Sequence, residues 1–341
     1  MRIWVVGLGT VGRWLLRALD SQREQLERRY GFAPVVAGVA NARHGFIHRP
    51  DGLDVPTVLA LAEDGRLLTE HPGVNHWQDA LAGLRETEAD VLVEVTQSPP
   101  TDGEPGYAHM REALGRGVPV ATSNKWPVAL HGVELLELAE VGDTALRAES
   151  TVMSGTPVLS TLMDGLAGAR PLALRGTLNA TANVVLSDMA AGSSYDDALA
   201  AAQEAGLAER DPAADVEGHD TVAKTMILGA LIFGIQLRRE QVARRGITDV
   251  EGEVREAAAS GRRVRLVATL EPSGPDELTA RVEPVAVATD DPLASVEGVM
   301  NAVVCRADPV GQVIVIGPGA GPELAGQGVL SDLIALARRL A

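Results

Sequence analysis

The run Met1-Arg2-Ile3-Trp4-Val5-Val6-Gly7-Leu8-Gly9-Thr10-Val11-Gly12 decides the fold, because it joins a buried apolar strand to a glycine-rich turn that opens a helix. In a nucleotide-binding strand–turn–helix unit each glycine has a task. Gly7 permits the tight turn, Gly9 lets backbone approach a pyrophosphate, and Gly12 lets the helix pack close to the strand. Phosphate then meets the positive end of the helix, at Thr10 and Val11. The competing reading is a glycine turn kept for packing alone. The strand before it and the helix after it favour cofactor binding.

Outward from this turn, short apolar runs alternate with amphipathic stretches. Residues 3–6, 35–40, 91–95, 118–122 and 145–148 read as strands, and 11–29, 107–116 and 133–140 as helices. That alternation is the pattern of a parallel sheet covered by helices. After Glu149 the strands become more widely spaced, at 172–178, 263–270, 280–288, 302–306 and 312–316. Helices are expected at 157–166, 182–190, 195–204 and 220–233, and 271–277 reads as a hairpin turn. A last helix, 323–340, follows a glycine cluster. The expected class is α/β. A Rossmann-type nucleotide-binding domain occupies 1–149, and an α+β substrate and dimerisation domain occupies 150–317.

Composition bounds the function. The chain has 341 residues, enough for two cores, and only 3% aromatics, so those cores are aliphatic. A formal charge of −16 repels nucleic acid and anionic membranes, so neither is an expected partner. The single cysteine, Cys305, excludes an intrachain disulfide and fits a reducing compartment. The N-terminus runs straight into the glycine turn, without the apolar stretch of a signal peptide, and Met226–Ile235 is too short to span a bilayer. A cytoplasmic protein is expected.

Further cofactor contacts are sought at the carboxyl ends of strands. Thr96 follows the third clear strand, and Thr122-Ser123-Asn124-Lys125 ends another. Lys125 suits a role beside nicotinamide or substrate, although Ser and Asn also suit a plain helix cap. No acidic residue ends the second strand to accept from a ribose 2′-hydroxyl. Arg43 instead could meet a 2′-phosphate, or be an exposed loop arginine. NADP is the leaning and NAD the alternative.

The densest polar constellation runs from Glu209 to Lys224. Asp220 and Lys224 stand four apart, hence on one helix face. Carboxylates beside a lysine in a cleft orient its ammonium, but spacing alone favours an ordinary surface ion pair. The segment Glu149–Pro157 reads as a hinge between domains, or as a set of oxygen ligands for a hard cation. The seven histidines lack the spacing and the companion ligands of a transition-metal set, and none is expected to be catalytic.

These segments together resemble the homoserine dehydrogenase family across nearly the whole chain. They come in its order: the glycine turn, Thr122–Lys125, the Glu149–Pro157 seam, Gly176–Asn183, then Ala208-Glu209-Arg210-Asp211-Pro212 through Lys224, and the closing loop Gly317-Pro318-Gly319-Ala320-Gly321. The resemblance implies NAD(P)-dependent interconversion of L-homoserine and L-aspartate 4-semialdehyde in threonine and methionine biosynthesis. It implies Lys224 as acid/base with Asp220 as its partner, and Lys125 on the other side of the reacting oxygen. Glu209, Asp215, Asn179 and Thr181 would bind substrate, Gly321 would belong to the cofactor loop, and 318–341 would return to complete the nucleotide-binding domain begun by 1–149. Glu149 and the carbonyls of Val152, Ser154 and Thr156 would hold sodium.

The chain departs from the family pattern at Ser154, where the seam usually has a glycine, at Ala180 and Val184, and at Trp126. These departures keep open a relative acting on another small hydroxy amino acid, or a non-catalytic nucleotide-binding one. No regulatory C-terminal domain of the family's kind is expected after Leu340, so weak or absent threonine inhibition is expected. A homodimer is expected from open sheet edges with apolar strands such as Val313–Ile316.

Overall fold

The computed structural model describes residues 1–340, which fall into two compact units. The first runs from Met1 to Gly155 and resumes at Gly321; the second is Thr156–Ala320. The sequence reading puts these boundaries at 149/150 and 317/318.

In the first unit the chain order is β1 (Arg2–Val6), α1 (Thr10–Ser21), α2 (Arg23–Tyr30), β2 (Val35–Asn41), β3 (Gly45–His48), α3 (Val55–Glu63), β4 (Asn75–Trp77) and α4 (Ala80–Glu86). It continues with β5 (Val91–Glu94), α5 (Gly106–Gly115), β6 (Val120–Thr122), α6 (Lys125–Val141), β7 (Leu146–Arg147) and α7 (Ser150–Met153). The seven-stranded sheet has the order β4-β3-β2-β1-β5-β6-β7. Strands β2, β1, β5, β6 and β7 are mutually parallel, while β3 pairs antiparallel with both β2 and β4. The chain winds one way from β1 to β2 and then returns to place β5 on β1's other side. The switch point therefore lies at the carboxyl ends of β1 and β5, where open α/β sheets bind ligands.

Strands buried on both faces need apolar residues throughout, and Ile3, Val5, Val39, Val91 and Val93 are all fully buried in one aliphatic core. The last helix of the chain, Pro322–Leu340, adds Val329, Leu330, Leu333 and Leu336 to that core. Its Gly326 lies so close to the Trp14 ring that a Cβ would collide with it, which fixes the approach of this helix to α1.

The second unit contains α8 (Val158–Ser160), β8 (Arg170–Thr177), α9 (Ala180–Ala190), α10 (Tyr195–Glu204), α11 (Ala213–Val216) and α12 (His219–Phe233). There follow β9 (Val242–Arg244), α13 (Glu251–Ala259), β10 (Arg263–Gly274), β11 (Glu277–Val287), β12 (Met300–Asp308) and β13 (Gly311–Pro318). The closing helix Pro322–Leu340 is then α14. The sheet order is β13-β12-β8-β10-β11-β9, antiparallel except for the β11–β9 pair. Helix α12 is central: every residue from Thr221 to Leu231 is buried.

Three helix expectations need correction. The stretch 11–29 is two helices, broken where Gln22 leaves helical geometry at φ −102°, ψ 8°. The helix expected at 133–140 begins at Lys125, and a kink at His131 (φ −135°) hides its first two turns from the sequence pattern. The helix expected at 157–166 is one short turn followed by a wider π turn, Thr161–Gly165.

Candidate active site

At the switch point the glycine turn is held tightly from below and is open above. Gly7 has φ +117° and donates its N–H to Ala40 O at 2.8 Å. A Cβ on Gly7 would stand 2.7 Å from the Val95 carbonyl, so the turn lies directly on the β5 exit. Gly12 leaves no room for a Cβ against Gly7 O. Gly9, in contrast, faces open space and caps α1 without any side-chain hydrogen bond. The first-turn N–H groups at Thr10 and Val11 thus point from an uncapped helix start, which suits phosphate.

Thr96 follows β5, and its N–H and Oγ1 both bond Glu94 Oε1, at 2.8 and 2.5 Å. Lys125 is the first residue of α6, directly after the N-cap Asn124. Arg43 sits exposed at the tip of the β2–β3 hairpin, its N–H donated to Asn41 Oδ1 at 2.9 Å. Gly321 has φ +135°, a conformation that favours glycine, and immediately precedes α14.

The second unit gathers a different chemistry. Gly218, at φ +84°, turns the chain into α12, and Asp220 sits in that helix's first turn, where the dipole favours a carboxylate. One turn on, Lys224 is 7% exposed on a helix otherwise packed into the core. Its Nζ donates to Leu178 O at 2.5 Å and lies 2.8 Å from Asp220 Oδ2. A buried ammonium without such partners would be costly, so the carbonyl and the carboxylate are what allow it there.

Asn179, the N-cap of α9, accepts from Ala182 N and donates to Asp215 Oδ1 at 2.6 Å and Asp220 Oδ2 at 3.2 Å. Thr181 Oγ1 lies 2.9 Å from Asp215 Oδ2 and 3.0 Å from Leu207 O. Lys224, Asp220, Asn179, Asp215 and Thr181 therefore form one connected cluster. Glu209 stands outside it, on an exposed loop and tied through its backbone carbonyl, which accepts from Gln203 Nε2.

In the seam, Glu149 is buried and its N–H donates to Asp332 Oδ2 at 2.9 Å. Val152 lies in the helical turn α7, and Ser154 follows with φ +51°, ψ −114°. Thr156 belongs to the second unit, where its Oγ1 donates to Pro318 O at 2.9 Å. No group of three or more His, Cys, Asp or Glu side chains suited to a metal occurs among the described residues. Within the first unit this segment offers one buried carboxylate, Glu149.

Sequence reasoning missed Glu94, fully buried at the end of β5, and its partner His109. The available signal was a lone carboxylate in the otherwise apolar run Val91-Leu92-Val93-Glu94-Val95. It also missed Asn301, whose carboxamide is buried without a partner beside Gly319.

An open glycine turn at a sheet's switch point suits a dinucleotide, and a buried lysine beside a carboxylate has the chemistry to move a proton. With both in one chain, the class is that of nicotinamide-nucleotide-dependent oxidoreductases. Comparison with known proteins narrows it. A family model of the homoserine dehydrogenase NAD-binding domain matches residues 7–149, and one of homoserine dehydrogenase matches 157–334. The chain is 35% identical over 336 residues to the NAD(+)-dependent homoserine dehydrogenase of Pseudomonas canavaninivorans, covering 98% of this chain and 95% of that protein. It is 33% identical to the homoserine dehydrogenase of Methanocaldococcus jannaschii, covering 98% of both. A solved hyperthermophilic archaeal homoserine dehydrogenase in complex with NADPH superposes with a TM-score of 0.82 at 30% identity, over 99% of this chain and 98% of that one. The chain belongs to the homoserine dehydrogenase family.

Proposed function

We propose that the chain interconverts L-homoserine and L-aspartate 4-semialdehyde, transferring hydride between the C4 carbon of the substrate and a nicotinamide. The observation that carries this reading is the buried Lys224, held by Leu178 O and Asp220 within a cluster of acids and amides. The nucleotide supplies the hydride donor and acceptor. Its pyrophosphate fits the open face at Gly9, Thr10 and Val11, with Gly7 and Gly12 shaping the turn and Gly321 and Thr96 lining the same unit.

In the aldehyde-reducing direction Lys224 donates a proton to the carbonyl oxygen, and Lys125 stabilises the charge developing on it. Asp220 keeps the Lys224 side chain oriented before transfer. Asp215, set by Asn179 and Thr181, receives the ammonium group of the substrate's amino-acid head; Glu209, exposed on its loop outside that cluster, is the second acid proposed for the head. Steady-state oxidation of homoserine, compared with other small hydroxy amino acids, tests the assignment. A better kcat/KM for another substrate would shift it to a drifted relative, and nucleotide binding without turnover would leave a non-catalytic one.

Arg43 and the absence of a carboxylate at the end of β2 support NADP over NAD. A strong NADH preference that survives Arg43→Ala would refute this. Glu149 with the carbonyls of Val152, Ser154 and Thr156 is read as a sodium site. Sodium should then raise the unfolding midpoint over a choline control, and Glu149→Gln should erase the difference. The exposed Ile314 and Ile316 on edge strand β13 support a homodimer, which light scattering checks. No helix among the described residues is long and apolar enough to cross a membrane. The single cysteine, Cys305, supports a cytoplasmic location.

A further inference from the structure

Glu94 and His109 have no part in the reading above, yet their polar group joins the exit of β5, α5, the end of β6 and the start of α6. Its centre is Glu94, fully buried at the carboxyl end of β5. Glu94 Oε2 lies 2.7 Å from Nδ1 of His109, itself buried on α5. Glu94 Oε1 accepts from Thr96 N and Thr96 Oγ1, and from Asn124 Nδ2 at 3.3 Å. Asn124 Nδ2 also reaches Thr96 Oγ1 at 3.1 Å and Ser98 Oγ at 2.8 Å. The Asn124 N–H is donated to Thr122 Oγ1, whose own proton goes to Glu94 O. The Thr96 N–H, the Thr96 hydroxyl and the Asn124 amide all donate to this carboxylate, and His109 can join them as a donor in its Nδ1–H tautomer.

A fully buried carboxylate is expensive unless each lone pair is used, and this one spends them on two segments. One arm fixes the Val95–Thr96 peptide, on which Gly7 of the glycine turn rests. The other fixes Asn124, the N-cap of α6, and with it the first helical residue, Lys125. We propose that Glu94, clamped by His109, is a positioning residue that sets the glycine turn and Lys125 through Thr96 and Asn124. It contacts neither substrate nor cofactor. The proposal rests on the reading that Lys125 serves turnover and the glycine turn holds the nucleotide.

The two arms predict a split that a merely structural carboxylate would not show. Asn124→Ala cuts the Lys125 arm while leaving the Glu94–His109 and Glu94–Thr96 bonds in place. It should lower kcat by about 10–100-fold, the scale of a small misplacement of a charged group, with the nucleotide Kd close to that of the parent. Glu94→Ala cuts both arms, so kcat falls and the Kd for NADPH, read by quenching of protein fluorescence, rises as well. Glu94→Gln should recover most of both losses. Its amide oxygen can face Thr96 and Asn124, and its NH2 can donate to Nδ1 of His109 in the other tautomer.

The measurements are made on the full chain, with the thermal midpoint of each variant recorded. Parental kcat in Asn124→Ala would overturn the proposal. So would a Glu94→Ala variant that loses thermal stability but keeps kcat and nucleotide affinity, or a Glu94→Gln variant as impaired as Glu94→Ala. If Glu94→Ala does not fold, Asn124→Ala and Glu94→Gln still decide. Failure of the underlying reading looks different: the unaltered chain would bind no nucleotide or oxidise no homoserine, whatever the variants did.

Discussion

Replacing Lys224 by Met separates its chemistry from its packing. Methionine nearly matches the aliphatic stem, so the buried face of α12 keeps its contacts and only the ammonium is lost. Two groups are then stranded: Leu178 O, which accepted at 2.5 Å, and Asp220, which paired at 2.8 Å. Asp220 keeps the Asn179 amide at 3.2 Å and the helix dipole, so the loss is partial. Stranding a buried acceptor and a partly compensated carboxylate costs about 1–3 kcal/mol in all. For a unit of this size that corresponds to a fall of roughly 2–12 °C in midpoint. Turnover should fall by about 10²–10⁴-fold, the usual contribution of a positioned acid/base, with nucleotide affinity unchanged. The double variant Lys224→Met/Asp220→Asn removes the uncompensated charge, so it should regain part of the stability and none of the turnover. Differential scanning fluorimetry and steady-state aldehyde reduction, run on the same samples, read both quantities. Near-parental turnover in the single variant, or turnover returning together with stability in the double, would refute the acid/base assignment.

Three other expectations follow from local geometry. Gly12→Ala would force a Cβ onto Gly7 O, so nucleotide Kd should rise at least about tenfold while Tyr195 and Phe233 of the second unit keep their surroundings; fluorescence titration against NADPH reads the first effect. Ser154→Gly relieves a non-glycine residue held at φ +51°, ψ −114°, and should stabilise the chain by about 1–2 kcal/mol in urea unfolding. A destabilised variant would mean that the serine side chain contributes more than the strain costs. Burial lowers the His48 pKa below its ordinary 6.5, and its Nε2 is buried without a partner. The unfolded chain therefore takes up the proton first, and His48 contributes a stability term that is complete above 6.5 and lost as pH falls toward the folded value. His48→Gln should flatten that part of the pH–stability profile, and an unchanged slope would exclude His48 as its source.

What the sequence makes legible is local. The glycine turn can be read because strand, turn and helix are contiguous, and Tyr195–Glu204 because a capping Ser194 precedes an uninterrupted helical stretch. The break at Gln22 was hidden because Asp20-Ser21-Gln22 holds neither glycine nor proline. Strands β3 and β4 and helices α3 and α4 are each nine residues or fewer, too short for a period to declare itself. At the candidate site, Asp220 and Lys224 share a face by spacing alone. Their meeting with Asn179, Thr181 and Asp215 depends on the β8–α9 turn arriving beside α12, a tertiary event no spacing encodes. Glu209 shows the converse, since a motif position does not by itself place a side chain in the cluster. Glu94 was passed over because four apolar neighbours disguise a buried acid as one more strand residue.

The central claim is tested most directly by reducing aspartate 4-semialdehyde with NADPH and NADH in parallel, with the Lys224→Met chain as control. The account predicts L-homoserine as product, a higher kcat/KM with NADPH, and loss of reduction with both nucleotides in the variant. Nucleotide binding without any oxidation of the reduced cofactor by the unaltered chain would contradict it.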